Sequence, residues 1–199
     1  MVKVIGIVGS PRLEGNTKFL VEKALKAAEE EGAETELIHL AKYDINPCKS
    51  CMTCRKEGRC SIDDDMGKIL DKIRESQGII IGSPVYFGDI SAQTKIFMDR
   101  TLPLRANGFE MRDKVGGAIT VGGSRNGGQE TSCMSIHNFF LIHEAIVVGD
   151  ASPTAHYGGT GVGFAVGDCK DDDVGIETSE NLGRRVARVA LKLHRGEKW

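Results

Sequence analysis

Four cysteines lie close together in the first third of the chain, with the spacing C-x2-C-x2-C-x5-C: Cys48, Cys51, Cys54 and Cys60. A structural zinc ion usually takes its four ligands from two separated pairs. Three cysteines at successive i+3 positions, followed soon by a fourth, are instead typical of the compact run that binds a [4Fe–4S] cluster. Thiolates are soft ligands that suit iron–sulfur chemistry. The spacing therefore predicts a cluster on these four residues, although its last interval is longer than in bacterial ferredoxins.

Two other chemistries remain open for this run. It is also compatible with a zinc-stapled loop and with a redox-active disulfide, because clustered cysteines in a reducing compartment indicate metal or redox chemistry. Basic residues alternate with the thiols, and their charge would favour the reduced form of a cluster. They are Lys49, Arg55, Lys56 and Arg59. Cys133 and Cys169 lie outside the run and are predicted to be small, partly buried apolar side chains.

A second motif, residues 9–17 with the sequence GSPRLEGNT, lies between a predicted strand and a predicted helix. At such a position exposed backbone N–H groups and the helix dipole favour a phosphate. Side-chain donors add to them, namely Ser10, Arg12, Asn16 and Thr17, and Gly15 eases the turn. Because the motif has neither the Walker A lysine nor GxGxxG, it favours a single terminal phosphate. The alternative is that Asn16 or Thr17 simply caps the helix.

The hydrophobic pattern indicates the elements that position both motifs. Residues 2–8 predict a strand buried on both faces, and apolar positions between 17 and 28 recur at helical spacing. Further strands are predicted at 36–40, 78–82, 115–121 and 145–148, and further helices at 66–73, 91–102, 129–142 and 182–193. Five alternating units favour an α/β fold: a flavodoxin-like, doubly wound, five-stranded parallel sheet in the order 2-1-3-4-5.

The loops that leave the predicted strands are long, at 9–16, 41–63, 83–90, 122–128 and 149–175. In an open α/β sheet these loops meet at the carboxyl edge, where ligands bind, so we expect both motifs there. The chain is predicted to be one domain over residues 1–199, with residues 41–63 as an inserted cluster loop. The glycine-rich residues 158–163 are interpreted as a flexible segment of this edge, and the acidic residues 171–173 as a solvated loop.

Three segments carry a resemblance to a known family. They are residues 9–17, the stretch GSPVYFGDISAQ at 82–93, and Gly122-Gly123-Ser124. Together they resemble the NAD(P)H-dependent FMN reductase and quinone reductase branch of the flavodoxin-like superfamily. The cysteine run after the second strand narrows the resemblance to the iron–sulfur flavoproteins of anaerobic, mostly archaeal, metabolism. The resemblance covers nearly the whole chain.

The resemblance implies two cofactors and the residues that hold them. FMN would place its phosphate on the residues Ser10, Arg12, Gly15, Asn16 and Thr17. Its ring system would lie among Ser83, Pro84, Val85, Tyr86, Phe87, Gly88, Gly122, Gly123 and Ser124. A [4Fe–4S] cluster would be bound by Cys48, Cys51, Cys54 and Cys60. The resemblance also implies a homodimer or homotetramer that exchanges electrons with ferredoxin.

The implied function is that of a flavin-dependent oxidoreductase. It would pass electrons between a ferredoxin-type donor, the cluster, FMN and a downstream acceptor such as oxygen, peroxide or a quinone. One alternative is an NAD(P)H-dependent FMN or quinone reductase with a structural metal loop, and another is a non-catalytic electron carrier or redox sensor. No Ser-His-Asp or HExxH arrangement supports hydrolysis, and no catalytic acid or base is assigned.

Composition agrees with this class. The 199 residues carry 26 basic and 28 acidic side chains, so neither nucleic acid nor an anionic membrane is expected as a partner. The first residues have no long apolar stretch of the signal-peptide type, and we therefore expect a cytoplasmic protein.

Overall fold

A parallel β-sheet forms the centre of the molecule in the computed structural model, which describes residues 1–195. The strands are β1 (Lys3–Val8), β2 (Glu34–His39), β3 (Gly78–Tyr86), β4 (Asp89–Ile90), β5 (Val115–Gly122), β6 (Ile146–Val147) and β7 (Gly159–Val162). The helices are α1 (Asn16–Glu30), α2 (Thr53–Glu57), α3 (Met66–Glu75), α4 (Ala92–Asp99), α5 (Leu102–Ala106), α6 (Gln129–Ile142) and α7 (Asp173–Arg195). Residues 196–199 of the predicted domain lie outside the described part.

The main strands follow the order β2-β1-β3-β5-β6, and all of these neighbours pair in parallel. In chain order this is the predicted 2-1-3-4-5 arrangement, so the predicted flavodoxin-like topology is confirmed. The fifth of these strands is short, with only Ile146–Val147 paired to β5. Farther along the same edge of β5, the strand β7 also pairs with it in parallel.

The interpretation of residues 158–163 as a flexible segment is wrong, because Gly159–Val162 form β7. Its glycines are required by close packing rather than by mobility. A Cβ at Gly161 would lie 2.5 Å from the Leu20 side chain, and one at Gly159 would lie 2.7 Å from the Ser179 hydroxyl. With few apolar side chains, this strand has no periodic signal in the sequence.

The predicted solvated loop at 171–173 is also partly wrong, since Asp172 has a structural role. Its carboxylate accepts hydrogen bonds from the Gly175 N–H (3.0 Å) and from the Val162 N–H (2.7 Å). The first bond caps α7, so this helix begins at Asp173 and not near residue 182. The second bond joins the helix start to β7.

The single helix predicted at 91–102 is divided in the structure into α4 and α5.

Two apolar layers enclose the sheet, one on each face. Alternate residues of β1 enter different layers, with Val4 and Val8 in the layer of α1 and α7, and Ile5 and Ile7 in that of α3, α4 and α6. The helices α1 and α7 approach closely at Gly183, where a Cβ would lie 2.0 Å from the Ala24 carbonyl oxygen. This packing leaves the loops at the carboxyl edge as the place for a ligand.

The two cysteines outside the run are buried, in agreement with their predicted apolar role. Cys133 and Cys169 have no exposed surface. Burial raises the pKa of both thiols to about 12, so both remain neutral and unreactive at physiological pH. Within residues 1–195, no helix is long and apolar enough to cross a bilayer.

His143, directly after α6, is a buried histidine that the fold keeps neutral. Its Nε2 lies 2.9 Å from the Thr101 hydroxyl, and that hydroxyl donates to the Met98 carbonyl. Nε2 therefore carries the proton, and Nδ1 has no hydrogen-bond partner among the described residues. Burial, with the nearby charge of Arg105, lowers the pKa of His143 to about 4.

We expect this histidine to reduce stability in acid. The unfolded chain takes up the proton near the ordinary pKa, whereas the folded protein does so only near pH 4. Stability should therefore fall by up to about 3 kcal/mol as the pH drops through this window. The variant His143→Phe removes the titrating group and leaves Thr101 bonded to Met98, so it should lose less stability. Urea unfolding of both proteins at pH 7 and pH 4.5 measures the difference, and equal losses would contradict the assignment.

Candidate functional site

A cleft of about 200 Å³ opens at the carboxyl edge of the sheet, where the loop after β1, the ends of β3 and β5 and the residues after β7 meet. Many of the predicted flavin residues line it, because these loops leave neighbouring parallel strands. The lining consists of Ser10, Arg12, Gly15, Asn16, Thr17, Pro84, Val85, Tyr86, Val121, Gly123, Gly163 and Phe164. The cleft combines polar donors from the first loop with apolar groups from the third strand.

The loop between β1 and α1 is held as a compact turn. The Gly15 N–H donates to the Arg12 carbonyl (3.2 Å), and the Arg12 N–H donates to the Ser10 hydroxyl (3.1 Å). Helix α1 then begins at Asn16, with Gly15 as its N-cap and no side-chain cap. The alternative that Asn16 or Thr17 caps this helix is therefore wrong. The first-turn N–H groups stay available to an anion at the positive end of the helix dipole.

Asn16 lines the cleft, but its amide group serves the protein itself. Nδ2 donates to the Ala165 carbonyl (2.8 Å), and Oδ1 accepts the Gly167 N–H (2.9 Å). Nearby, the Arg12 guanidinium donates to the Phe164 carbonyl (3.0 Å). These bonds fix residues 163–168, called the strap below, over one side of the cleft.

Phe164, Val121 and Gly163 are lining residues that the sequence interpretation missed. The Phe164 side chain is 77% exposed at the mouth of the cleft, which leaves its ring free to contact a ligand. Gly163 must lack a side chain, since a Cβ would lie 2.6 Å from Asn16 Nδ2. The glycine run at 158–163 was the one feature of the sequence that pointed to this segment. It does not predict which of its residues lies beside residues 10–17.

His39, at the end of β2, supports the first loop from below and was also missed. Its Nδ1 accepts the Ala41 N–H (3.3 Å), so the neutral ring donates from Nε2 to the Arg12 carbonyl (3.3 Å). Burial lowers the pKa of His39, which keeps this tautomer populated at neutral pH. The second strand thus braces the loop that follows the first.

Ser83, predicted as a flavin residue, lies beneath the cleft instead of lining it. Its buried hydroxyl accepts the Ser91 N–H (2.9 Å) and interacts with the Thr94 hydroxyl (3.1 Å). The Ser91 hydroxyl, which also caps α4, donates to the Gly9 carbonyl (2.6 Å). This buried network joins the start of α4 to the first loop.

Four other predicted flavin residues do not line the cleft. Phe87 is fully exposed and has a positive φ of 51°. Gly88 and Ser124 use their carbonyls to accept the Thr131 hydroxyl and the Gln129 amide. Gly122 is buried, and a Cβ at this position would lie 2.5 Å from Gln129 Nε2. These residues shape the loops around the cleft.

The four clustered cysteines lie between β2 and α3, and none forms a disulfide. Cys48 and Cys51 are exposed, whereas Cys54 and Cys60 are half-buried. Burial raises the pKa of Cys54, and the neighbouring thiols of Cys60 and Cys48 add to this effect. Cys51 instead lies 3.1 Å from the Ser61 hydroxyl, and hydrogen bonds from Ser61 and Thr53 lower its pKa to about 7.

The described part of the chain, residues 1–195, contains no three or more His, Cys, Asp or Glu side chains arranged to hold a metal ion. Residues 46–64, called the cysteine segment below, therefore have the right donor atoms, but their four thiols are not arranged around one metal site. One thiol is already acidic enough to ionise near neutral pH, and a bound cation would lower the pKa of the others.

A buried ion pair holds the ends of this segment together. Arg100 Nη1 lies 2.7 Å from Asp64 Oδ2, and Nη2 lies 2.9 Å from Oδ1, with both side chains 1% exposed. Burial alone would raise the pKa of Asp64, but hydrogen bonds from Arg100 and from the N–H groups of Asn46 and Met66 hold it well below its usual range. The carboxylate thus stays charged.

The chain is similar to known proteins in sequence and in fold. Residues 2–159 match the family model described as NADPH-dependent FMN reductase. An iron–sulfur flavoprotein of Methanocaldococcus jannaschii is 64% identical over 188 residues, which cover 94% of this chain and 97% of that protein. Another from Methanosarcina thermophila is 42% identical and covers 94% and 95%. Among solved structures, a flavodoxin, WrbA-like protein from Agrobacterium tumefaciens shares the fold, with a TM-score of 0.65, 23% identity and full coverage of both chains.

The strap should loosen when its tether is removed. We expect Asn16→Ala to cost about 1–3 kcal/mol of stability through the loss of its hydrogen bonds, and to accelerate amide exchange in residues 163–169. Asn16→Asp keeps the acceptor for Gly167 and loses only the donor to Ala165, so its exchange should be intermediate. Hydrogen exchange followed by mass spectrometry measures both variants. Unchanged exchange in Asn16→Ala would refute the tether.

Proposed function

The chain belongs to the NADPH-dependent FMN reductase family and, within it, to the iron–sulfur flavoproteins, so it is a flavin-dependent oxidoreductase. We propose the path that electrons take through it. Electrons pass between a ferredoxin-type donor, a [4Fe–4S] cluster on Cys48, Cys51, Cys54 and Cys60, FMN in the cleft, and a downstream acceptor. Oxygen, peroxide and quinones are the candidate acceptors. One observation carries the proposal: the loop with four free cysteines and the cleft lined by residues 10–17 lie at the same edge of the sheet.

The cleft fits FMN by its own geometry. The N-terminus of α1, the Ser10 hydroxyl and the Arg12 guanidinium suit a phosphate dianion. Pro84, Val85 and Tyr86 supply an apolar wall for a flat ring system, and the exposed ring of Phe164 lines the same cleft. Apolar walls exclude water from one side of a bound ring, and the fixed loops orient it.

The cysteine segment fits an iron–sulfur cluster by donor chemistry. Its thiols are free, and Cys51 ionises near neutral pH because Ser61 and Thr53 donate to it. Bound FMN takes up one or two electrons whereas a cluster carries one, so the pair connects one-electron donors to two-electron acceptors. The chain's own task is to hold both groups at fixed positions; no side chain is assigned as an acid or base.

The surroundings of the segment support a donor with an acidic surface. Four basic side chains are exposed there, Lys49, Arg55, Lys56 and Arg59. Their charge would attract such a donor and increase its rate of association. A cytoplasmic location and a homodimer or homotetramer complete the proposal.

A second candidate function is NAD(P)H-dependent reduction of FMN or a quinone, with the cysteines around a structural metal. The match of residues 2–159 to the NADPH-dependent FMN reductase model favours it. Flavin bleaching by NADPH in the absence of a ferredoxin-type donor would support this alternative. Bleaching that requires the donor would support the cluster pathway.

Loss of the Thr17 hydroxyl should weaken FMN binding through the phosphate alone. Thr17 lies in the first turn of α1 and lines the cleft. Since a hydrogen bond to a charged group contributes about 1.5–3 kcal/mol, Thr17→Val should raise the Kd of FMN by about tenfold or more. The Kd of riboflavin, which has no phosphate, should stay the same. Fluorescence titration measures both, and Thr35→Val, on β2, is the control. Equal losses for the two ligands would exclude a phosphate contact.

Replacement of one cysteine should separate the two cofactors. We expect Cys51→Ser, purified without oxygen, to lose iron and sulfide and to keep FMN, because the cleft does not include this residue. Counts of iron, sulfide and FMN per chain, with a visible spectrum, measure the outcome.

The matched control for this test is Cys133→Ala, which changes a thiol buried in the core. It should retain iron at the level of the unchanged protein. A full iron complement in Cys51→Ser, or zinc in place of iron in the unchanged protein, would contradict the cluster assignment.

A further inference from the structure

Arg100 is an unusual residue to find buried, because arginine is rarely removed from water without a reason. It follows α4 directly, is 2% exposed, and makes its bidentate ion pair with Asp64 in the interior. Its Nε has no hydrogen-bond partner among the described residues. A buried ion pair usually adds little net stability compared with apolar packing, so a role other than stability should be sought.

The guanidinium joins both ends of the cysteine segment. Nη1 donates to the Asn46 carbonyl as well as to Asp64, and Asp64 in turn accepts the Asn46 N–H (2.9 Å). Residues 46 and 64 enclose all four cysteines. A single side chain therefore closes the loop that carries the thiols, and it limits the conformations that they can adopt.

The charge of Arg100 also acts on one of the thiols. Cys60 is among the groups that raise the pKa of Arg100. Burial lowers the pKa of Arg100, but the hydrogen bond with Asp64 and the charges of Cys60 and Asp64 outweigh this effect. Arg100 is therefore a permanent positive charge in a site of low dielectric constant, where its influence on a neighbouring redox group is strong.

The helix that precedes Arg100 connects it to the flavin cleft. Ser91, the N-cap of α4, is bonded to Gly9 and Ser83 beneath the cleft, and Arg100 follows the last residue of the same helix. Eight residues of helix span about 12 Å. Helix α4 thus links the loop between β1 and α1 to the cysteine segment.

We infer that Arg100 is the positioning residue of the iron–sulfur cluster: it closes the cysteine segment around the cluster and, by its charge between the two ends of that segment, raises the cluster's reduction potential. This inference rests on the proposed function, because it requires a cluster on the four cysteines. Reduction adds negative charge to the cluster, and a fixed positive charge close to it stabilises the reduced form.

Two neutralising variants should change the potential in opposite directions. Arg100→Gln removes the positive charge and leaves Asp64 unpaired, so the midpoint potential should fall. Asp64→Asn removes the negative charge and leaves that of Arg100, so the potential should rise. Both changes loosen the loop, and a purely structural role would therefore move the potential in the same direction or leave it unchanged.

The experiment uses the anaerobically purified holoprotein of each variant. Iron, sulfide and FMN are counted per chain, and the cluster potential is determined by a redox titration followed by electron paramagnetic resonance. FMN content and the thermal unfolding temperature report whether the fold is intact. Arg100→Lys keeps the charge and should restore the potential more fully than the iron content, because lysine lacks the bidentate geometry. Arg59→Gln removes a charge from the same segment at a side chain 75% exposed, and solvent screening should make its shift smaller.

The outcomes separate the inference from the proposed function. An unchanged protein without iron would overturn the proposed function and the inference with it. An iron-loaded unchanged protein whose Arg100→Gln and Asp64→Asn variants keep its iron content and potential would overturn only the inference. Shifts of the same sign would also overturn it. If Arg100→Gln loses its iron, retained FMN supports the positioning role, and the potentials of Asp64→Asn and Arg100→Lys decide the charge effect.

Discussion

Parallel pairing of β1 with β2 on one side and β3 on the other is the constraint on which both sites depend. Val8, the last residue of β1, lies in register with His39 and with Gly82. The strands β1 and β2 therefore end at the same level, and β3 continues beyond them to Tyr86. The Gly9 N–H donates to the Gly82 carbonyl (2.8 Å), which continues the pairing into the first loop. Because parallel strands share one direction, the loop after β1, the cysteine segment after β2 and the end of β3 all lie at this edge.

Buried polar groups then convert this common edge into fixed positions. At the start of α4, Ser83, Ser91 and Thr94 bond to one another and to the first loop. After its end, Arg100 and Asp64 bond to the boundaries of the cysteine segment. Each group is costly to bury without its partner, so the two networks form only when the correct loops meet. One helix, α4, in this way connects the residues that support the cleft with those that support the cysteine segment.

The strap beside the cleft depends on similar long-range bonds. Asn16 reaches the Ala165 carbonyl and the Gly167 N–H, while the Asp168 carboxylate accepts the N–H groups of Phe164 and Ala165 at 2.8 Å. The strap has no apolar periodicity of its own. Its conformation is set by side chains on the first helix and within the strap itself, and this explains why an exposed phenylalanine comes to lie at the mouth of the cleft.

The hydrophobic pattern of the chain was sufficient to predict the class of fold and the strand order, and so the edge of the sheet at which the long loops meet. Strands such as β1 and helices such as α3 bury continuous or periodic apolar side chains, and that burial is visible in the order of residues. The spacing of the cysteines predicted an iron–sulfur cluster, and that assignment stays a prediction. Only the tertiary structure decided that Gly159–Val162 form a strand, that Asp172 starts α7, and that Asn16 and Ser83 support the cleft. It also brought Arg100 to Asp64, 36 residues away in the chain. These features depend on hydrogen bonds and close contacts between distant residues, which leave no periodic trace in the sequence.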